Sequence, residues 1–525
     1  MSRLAEGVVA TACLAAVVLY LAVALLRIRY PFELQWMEGG SVEHVRRLLA
    51  GRSIYPPPSV DFASYTYPPL YFWVSAALSR VTGVGFFSLR LVSFLSSVGT
   101  MTLFGLLGRR ESGRWLPGLV AAGVFAAAFR VTGAWYDIAR VDSLFLFLLV
   151  AALFTLRGAR TWPAAAAAGV LLFLSALTKQ TAILVGVPIA LYVLVRRPRS
   201  GLAFVAGFLA PLAVVSGILD VASSGWYRFS TLEVLLEHPV ERTNGSRFLV
   251  DDLGRHLWPA LLVLALAALG AIRHRVRAGR PGPGPDNDSI GPPGRIPPDW
   301  ALYSVAGMGM VGSSWISRLH SGGYNDALIP AFAGIALVFG LAVGQLRSPS
   351  RATELAVAGA CLLQLALLAY SPAAQIPSRA DLTAGRQLVS TLRSVPGDVF
   401  VVAHPFYAVM AGKAGHAQAA AISDIIRSRP STATRLIRQG LAEAVHRQRF
   451  TAILFDTSDD HRGFPADLDR YYRRIPPPVL ATDAGLRPVT DIAIRPTEWW
   501  VARRLTTWAW KTPIVRTQDS FLSTD

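Results

Sequence analysis

The stretch 35-QWMEGGSVEHVRRLLAG-51 follows closely on an apolar run, residues 7–26, and is a strange end for a membrane anchor. It sets a Trp, a carboxylate and two glycines ahead of a short helical pattern. Val42, Val45, Leu48 and Leu49 form one apolar stripe. Glu43, His44, Arg46 and Arg47 take the other side, and Gly51 suits the helix end. A helix of this kind lies at a membrane interface. Glu38 stands at its N-terminal edge, where the helix dipole favours a carboxylate. It either caps the helix or serves chemistry.

The rest of the chain supplies the setting. Of 525 residues, 53% are hydrophobic and 16% charged, and the mean hydropathy is +0.42. This is too apolar for a soluble protein of that length. Apolar runs predict eleven spans, at 7–26, 88–108, 115–133, 142–156, 162–177, 180–195, 201–220, 257–272, 300–316, 324–344 and 353–370. At 1.5 Å per residue, 142–156 covers only about 22 Å, so it either begins earlier or sits beside a cavity. The segment 68-PPLYFWVSAALSRVTG-83 reads as a further helix lying in the outer interface. The net charge of +18 falls in short clusters between apolar runs, which marks membrane orientation and argues against nucleic acid as a partner. The Arg-rich loops 109–114, 157–160, 196–199, 273–280 and 347–351 fall on one side, which becomes cytoplasmic. The N-terminus is then inside and the C-terminus outside, against the weak contrary signal of Arg27 and Arg29. Residues 7–26 lack a small-residue cleavage site and read as a retained anchor. Cys13 and Cys361 lie inside apolar runs and make neither a metal site nor an expected disulfide.

Two segments differ from this pattern. Pro and Gly dominate 273–299, which reads as a linker. Residues 371–525 are more polar, with strand-like VFVVAHP (399–405) and TAILFDTS (451–458) around a helical pattern at 432–449. The expectation is an all-α polytopic membrane unit, residues 1–370, carrying a small extracytoplasmic α/β domain, residues 371–525.

The orientation gathers Glu38, Glu43, Tyr67, Arg90, Asp137, Arg140, Asp142, Lys179, Arg318, His320 and Asn325 on the outer face. Each has a plainer reading. Asp142 opens an apolar run, and Arg140 can pair with Asp142 or Asp137. Lys179 is the only lysine in the first 400 residues; it suits a phosphate as a compact charge, or snorkels to headgroups. Arg318 and His320 lead into Gly322 and Gly323, which permit a tight turn and close approach of a ligand. Asp456, Asp459, Asp460 and His461 follow a strand and read as a solvated loop before a metal site. No Walker A, dinucleotide fingerprint, H-E-x-x-H or nucleophile elbow occurs.

In order along the chain stand the first-loop Glu38, 67-YPPLYFW-73, 89-LRLVSFLSS-97, 140-RVDSLFLF-147, 178-TKQT-181 and 322-GGYNDALIP-330. This order resembles the GT-C class of membrane glycosyltransferases over roughly residues 1–370. It is closest to bacterial members similar to protein O-mannosyltransferases and lipid A aminoarabinose transferases. The resemblance implies a GT-C fold in a bacterial plasma membrane. It implies transfer of a hexosyl or pentosyl group from a polyprenyl-phosphate donor to a cell-envelope acceptor on the outer face, usually with inversion. It makes Glu38 the candidate general base, with Asp142 and Asp137 positioning substrate. It makes Lys179 a contact for the carrier phosphate, with Arg318 and His320 able to do likewise; Arg140, Asn325 and Tyr67 complete the candidate substrate residues. It names no certain cofactor, and two carboxylates and a phosphate can hold a divalent cation. Two departures stand out. Met37 precedes Glu38 where the protein mannosyltransferases carry an Asp-Glu pair, and Tyr67 stands where the aminoarabinose enzymes have Lys. A glycolipid transporter is the rival reading, but no internal repeat supports it.

Overall fold

The computed structural model describes residues 2–277, 299–345, 350–479, 485–490 and 492–505. Most of the expected linker and part of the loop at 347–351 lie outside the described residues. Nine helices cover the first 222 residues. They are α1 (Arg3–Arg27), α2 (Glu38–Leu49), α3 (Leu70–Thr82), α4 (Phe86–Ser112), α5 (Leu116–Ala127), α6 (Asp142–Gly158), α7 (Trp162–Thr178), α8 (Ala182–Arg196) and α9 (Pro198–Ala222). Four more long helices follow, at Arg255–Arg277, Trp300–Leu319, Ile329–Gln345 and Arg351–Leu367. Every one of the eleven apolar segments contains a helix. Among the described residues, five helical stretches are long and apolar enough to cross a membrane: Arg3–Arg27, Phe86–Ser112, Pro198–Ala222, Arg242–Gly270 and Asn325–Gln345. The protein is a multi-pass membrane protein.

Several boundaries differ from expectation, and each difference falls at the same end of the bundle. The segment 115–133 is helical only to Ala127; residues 128–141 form a strap of turns. The segment 324–344 starts with a 3-10 turn, Asn325–Leu328, before its helix. Helix α6 begins at Asp142 and no earlier, because the strap above it occupies the volume a longer helix would need. The centre of the bundle is α5, whose sequence LPGLVAAGVFAA is small and apolar all round. A helix of that kind is buried on every side, and α5 packs against α1, α4 and Ile329–Gln345. Small side chains allow such close approach where lipid offers no hydrophobic drive.

The C-terminal part carries a four-stranded sheet of order β1-β2-β4-β3, with β1 Val399–Val401, β2 Ala452–Phe455, β3 Tyr472–Ile475 and β4 Glu498–Ala502. Strands β1 and β2 are parallel and the other pairs antiparallel. The crossover from β1 to β2 includes Thr432–His446, where a helix was expected. Both strands are buried throughout, as parallel strands usually are. Strands β3 and β4 were not foreseen: YRRI and EWWVA are short and mix charge with aromatics. This part is not separated from the first external loop. Val42, Val45, Tyr65 and Phe72 share one apolar cluster with Phe400, Ile422 and Ile437, and Phe32 shares another with Tyr407 and Trp499.

Candidate active site

The two glycines of 37-MEGGS-41 explain themselves first. A Cβ on Gly39 would lie 2.2 Å from Glu33 Oε1, and one on Gly40 would lie 1.9 Å from the Tyr65 hydroxyl. The start of α2 is therefore clamped between a carboxylate and a phenol, and only glycine fits. His44, expected to face water, is buried. Its ring lies between Tyr65 and Phe72, 4.7 Å from each. It accepts from the Tyr65 amide at Nε2 and donates from Nδ1 to Gly40 O. Burial pushes its pKa down to about 3, so it is neutral.

Glu38 is fully buried. Its Oε1 accepts from Arg90 Nε (2.8 Å) and the Ala139 amide (2.7 Å). Its Oε2 accepts from Arg90 NH2 (2.6 Å) and the Leu34 amide (2.6 Å). Burial acts to raise its pKa, but the Arg90 guanidinium and those amides hold it below the usual carboxylate range. A carboxylate whose two oxygens are already taken by four donors is a poor base. The expected role of Glu38 as general base does not fit this geometry. Asp137 meets the same fate: it is buried against Arg27 Nε (2.8 Å) and NH2 (2.6 Å). The two carboxylates instead pin the strap 128–141. Arg27 also donates to Ala134 O, and Glu38 holds the amide of Ala139. Leading into these anchors, the strap turns through Gly133 (φ +84°) and Ala134 (φ +62°). It delivers the next side chain, Arg140, to a cavity.

That cavity has a volume of about 620 Å³. One wall is apolar, formed by Ile183 and Leu184 of α8, Leu232, Leu235 and Leu236 after α9, and Ile316. Leu236 is 71% exposed and Leu232 48% exposed, so this wall continues onto the outer surface of the bundle. The lining also carries polar groups, among them Tyr67, Arg140, Lys179, His320 and Asp326. Arg140 is 2% exposed. Its NH2 donates to the Tyr67 hydroxyl (2.7 Å), while Nε and NH1 have no partner. The guanidinium lies over the rings of Trp135 (4.9 Å), Tyr67 (5.1 Å) and Tyr65 (5.7 Å). Lys179 donates to Asp142 Oδ1 (2.5 Å) and lies 3.3 Å from Asp326 Oδ2. The ammonium thus occupies the place between these two carboxylates that a divalent ion would take. Among the described residues no group of three or more His, Cys, Asp or Glu is placed to hold a metal. The donor set does not fit a cation, and no chemistry is routed through one.

Of the expected site residues, Tyr67, Arg140, Lys179 and His320 line the cavity, and Asp142 sits behind Lys179. Arg318 points elsewhere, to Asp252 Oδ2 (2.9 Å) and Gly323 O (2.6 Å), and Asn325 is not on the wall. The reading from sequence missed Asp326, which differs from its neighbour Asn325 only in register on the turn. It missed Glu33 and His404 as well. Glu33 is the other carboxylate of the first loop, and His404 is the polar residue that ends a buried strand. The loop 456–461 is a capped turn that forms part of the cavity wall through Thr457, Asp459 and Asp460.

The chain was compared with known proteins. Residues 65–285 match the model of glycosyltransferase family 87. ArnT from Cupriavidus metallidurans, solved with undecaprenyl phosphate bound, superposes with a TM-score of 0.54 at 16% identity. The match covers 94% of this chain and 98% of that one. The apo state of the same protein gives 0.53 at 15% identity, covering 95% and 98%. The fold is that of the GT-C membrane glycosyltransferases. No curated protein matches the chain by sequence. Within the GT-C fold of this chain, the segment matched by family 87 carries Tyr67, Arg140, Asp142 and Lys179, hence most of these polar groups. Glu33 and the sheet domain lie outside it.

Proposed function

We propose that this chain is an integral membrane glycosyltransferase that moves a hexosyl or pentosyl group from a polyprenyl-phosphate carrier to a cell-envelope acceptor. Transfer takes place at the outer face of a bacterial plasma membrane, with inversion at the anomeric carbon. The observation that carries this reading is Arg140: a buried guanidinium whose Nε and NH1 are unpaired, on the wall of a cavity that also has an apolar lining. Buried cations are costly without a counter-charge. A phosphate supplies that charge and accepts in the planar, forked geometry that Arg offers. The apolar wall then takes the isoprenoid chain. In ArnT the same fold holds undecaprenyl phosphate.

The chemistry asks little else. A sugar phosphate already has a leaving group, so catalysis needs stabilisation of the departing phosphate and a base for the acceptor hydroxyl. Arg140 meets the first need, with His320 and the Lys179 ammonium in the same lining. The Tyr67 hydroxyl and the rings of Trp135, Tyr65 and Tyr67 keep the guanidinium aimed. Lys179, held between Asp142 and Asp326, offsets part of their charge and ties α6, the approach to α8 and the Asn325–Leu328 turn together. In this reading all eleven apolar helices cross the bilayer, residues 1–370 form the catalytic unit, and the sheet domain faces outward over the cavity.

The test uses purified protein in detergent with lipid extract from host membranes containing polyprenyl-phosphate sugars. Free polyprenyl phosphate released per mole of protein is followed by mass spectrometry. Acceptor-dependent release supports the reading. Carrier binding without release under any acceptor condition replaces it with a glycolipid transporter.

A further inference from the structure

With Glu38 locked and Met37 facing the cavity, the first loop offers no free carboxylate next to the site. A different group of three fills the gap. His404, at the end of β1, is bracketed by two carboxylates. Its Nδ1 bonds Glu33 Oε2, and its Nε2 bonds Asp456 Oδ2 at 2.6 Å. All three side chains are buried, with exposures of 0–1%. Glu33 is held by the Gly39 amide (3.1 Å) through its other oxygen, which is the close approach that requires glycine there. Asp456 differs in the respect that matters. Its Oδ1 is buried and has no hydrogen-bond partner. The next residues, Thr457, Asp459 and Asp460, form part of the cavity wall, and Trp36 and Met37 line it near Glu33.

A network built only to join the first loop to the sheet domain would have every acceptor satisfied. This one keeps a single acceptor without a partner, on the residue just before Thr457 of the cavity wall. We infer that Asp456 is the base that receives the acceptor's hydroxyl proton, with His404 and Glu33 as positioning residues that hold its charge. The inference rests on the transferase reading and names the base of that same site. With both ring nitrogens protonated, the imidazolium sits between two carboxylates. It fixes Asp456 in one rotamer. In the transfer step the acceptor O–H proton passes to Asp456 Oδ1 as the acceptor oxygen bonds the anomeric carbon. The anomeric C–O bond breaks, and its electron pair leaves with the phosphate oxygen facing Arg140. Polyprenyl phosphate departs as the dianion and the acid form of Asp456 releases its proton to water.

The titratable and charged groups around the imidazole come from three elements. They are Glu33 with Glu38 behind it in the first loop, Asp456 and Asp460 after β2, and Tyr407 on the helix that follows His404. Burial pushes Glu33 up to about 7 against the pull of His404. Burial acts to lower the pKa of His404, but Asp456 and Glu33 hold it well above the ordinary value. The sheet domain thereby supplies the base while the bundle supplies the phosphate clamp, and the reaction needs both parts.

The experiment uses full-length protein in lipid nanodiscs with the host polyprenyl-phosphate sugar pool. It measures kcat, KM for the donor, undecaprenyl phosphate affinity and thermal stability for wild type, Asp456→Asn and Glu33→Gln. Asp456→Asn is expected to lower kcat by about 100-fold or more, the usual contribution of a general base, with KM and carrier affinity within about threefold. Glu33→Gln, which preserves shape and can still accept from Gly39, is expected to displace the acid limb of the kcat–pH profile. A merely structural link would leave that limb in place. If Asp456→Asn is folded and turns over within about threefold of wild type, the inference is overturned and the transferase reading stands. If Asp456→Asn does not fold, an unchanged acid limb in Glu33→Gln overturns it. If wild type binds carrier and never releases it, the inference and the transferase reading fall together.

Discussion

Arg140→Met separates binding from stability. In the folded protein the guanidinium makes one hydrogen bond, to Tyr67, leaves Nε and NH1 unpaired, and has no carboxylate within salt-bridge distance among the described residues. Removing it costs the folded state little. The desolvation of a buried cation is several kcal/mol, so the Met variant should be as stable as wild type or more so. Carrier affinity moves the other way. Two charge-assisted hydrogen bonds to phosphate are each worth about 1.5–3 kcal/mol, and they share one side chain, so a loss of about 3 kcal/mol is a fair figure. At about 1.4 kcal/mol per decade this weakens undecaprenyl phosphate binding by roughly 100-fold. Arg140→Lys keeps the charge and loses the fork, so it should recover about half of that free energy. Quenching of Trp135 and Trp36, both on the cavity wall, gives the affinity by titration, and a thermal melt in the same detergent gives the stability. An unchanged affinity together with a lowered melting temperature would refute the argument, because it would make Arg140 a packing residue.

Glu38→Gln tests the reassigned carboxylate. It leaves Arg90 buried without its counter-charge, which costs about 3–5 kcal/mol, so the melting temperature falls. Turnover per folded molecule should survive far better than loss of a base would allow. Adding Arg90→Met should recover most of the stability, and a folded Glu38→Gln protein with no turnover would return Glu38 to the chemistry. The contact between the first loop and the sheet domain should also respond to pH. His416 bonds Asp61 (3.2 Å) and Asp398 (2.9 Å). Hydrogen bonding from His416, then Arg449, lowers Asp61 from its ordinary 3.8, so its contribution is present above that pH and lost as pH falls. Burial acts to lower His416, but Asp398 and Asp61 raise it above 6.5, so its contribution is complete below that pH and lost as pH rises. Protection from hydrogen exchange in the Asp61 loop, taken relative to the intrinsic rate at each pH, should therefore be greatest between about pH 4 and 6.5. His416→Gln should flatten the profile, and a flat wild-type profile would show that this cluster does not hold the loop.

The positions of the membrane helices were legible in the sequence because burial in lipid demands long apolar runs, and that demand is local. The amphipathic pattern of 38–50, the interfacial-type segment 70–82, and the strands around 399 and 452 were legible for the same reason: one period, one face. The residues Tyr67, Arg140, Lys179 and His320 could be picked out as polar groups near span ends. What local pattern could not give is which of two buried carboxylates is satisfied. Glu38 and Glu33 sit five residues apart in one loop. One ends against Arg90 and two amides, the other against a histidine some 370 residues later in the chain. Asp137 and Asp142 are likewise neighbours in sequence with different partners, Arg27 and Lys179. The sequence by itself determined that this is a membrane bundle with charge collected at one end. Tertiary structure alone decided which charges are spent on holding the strap and which are left open to a ligand, because a hydrogen-bond partner is a property of distance in space.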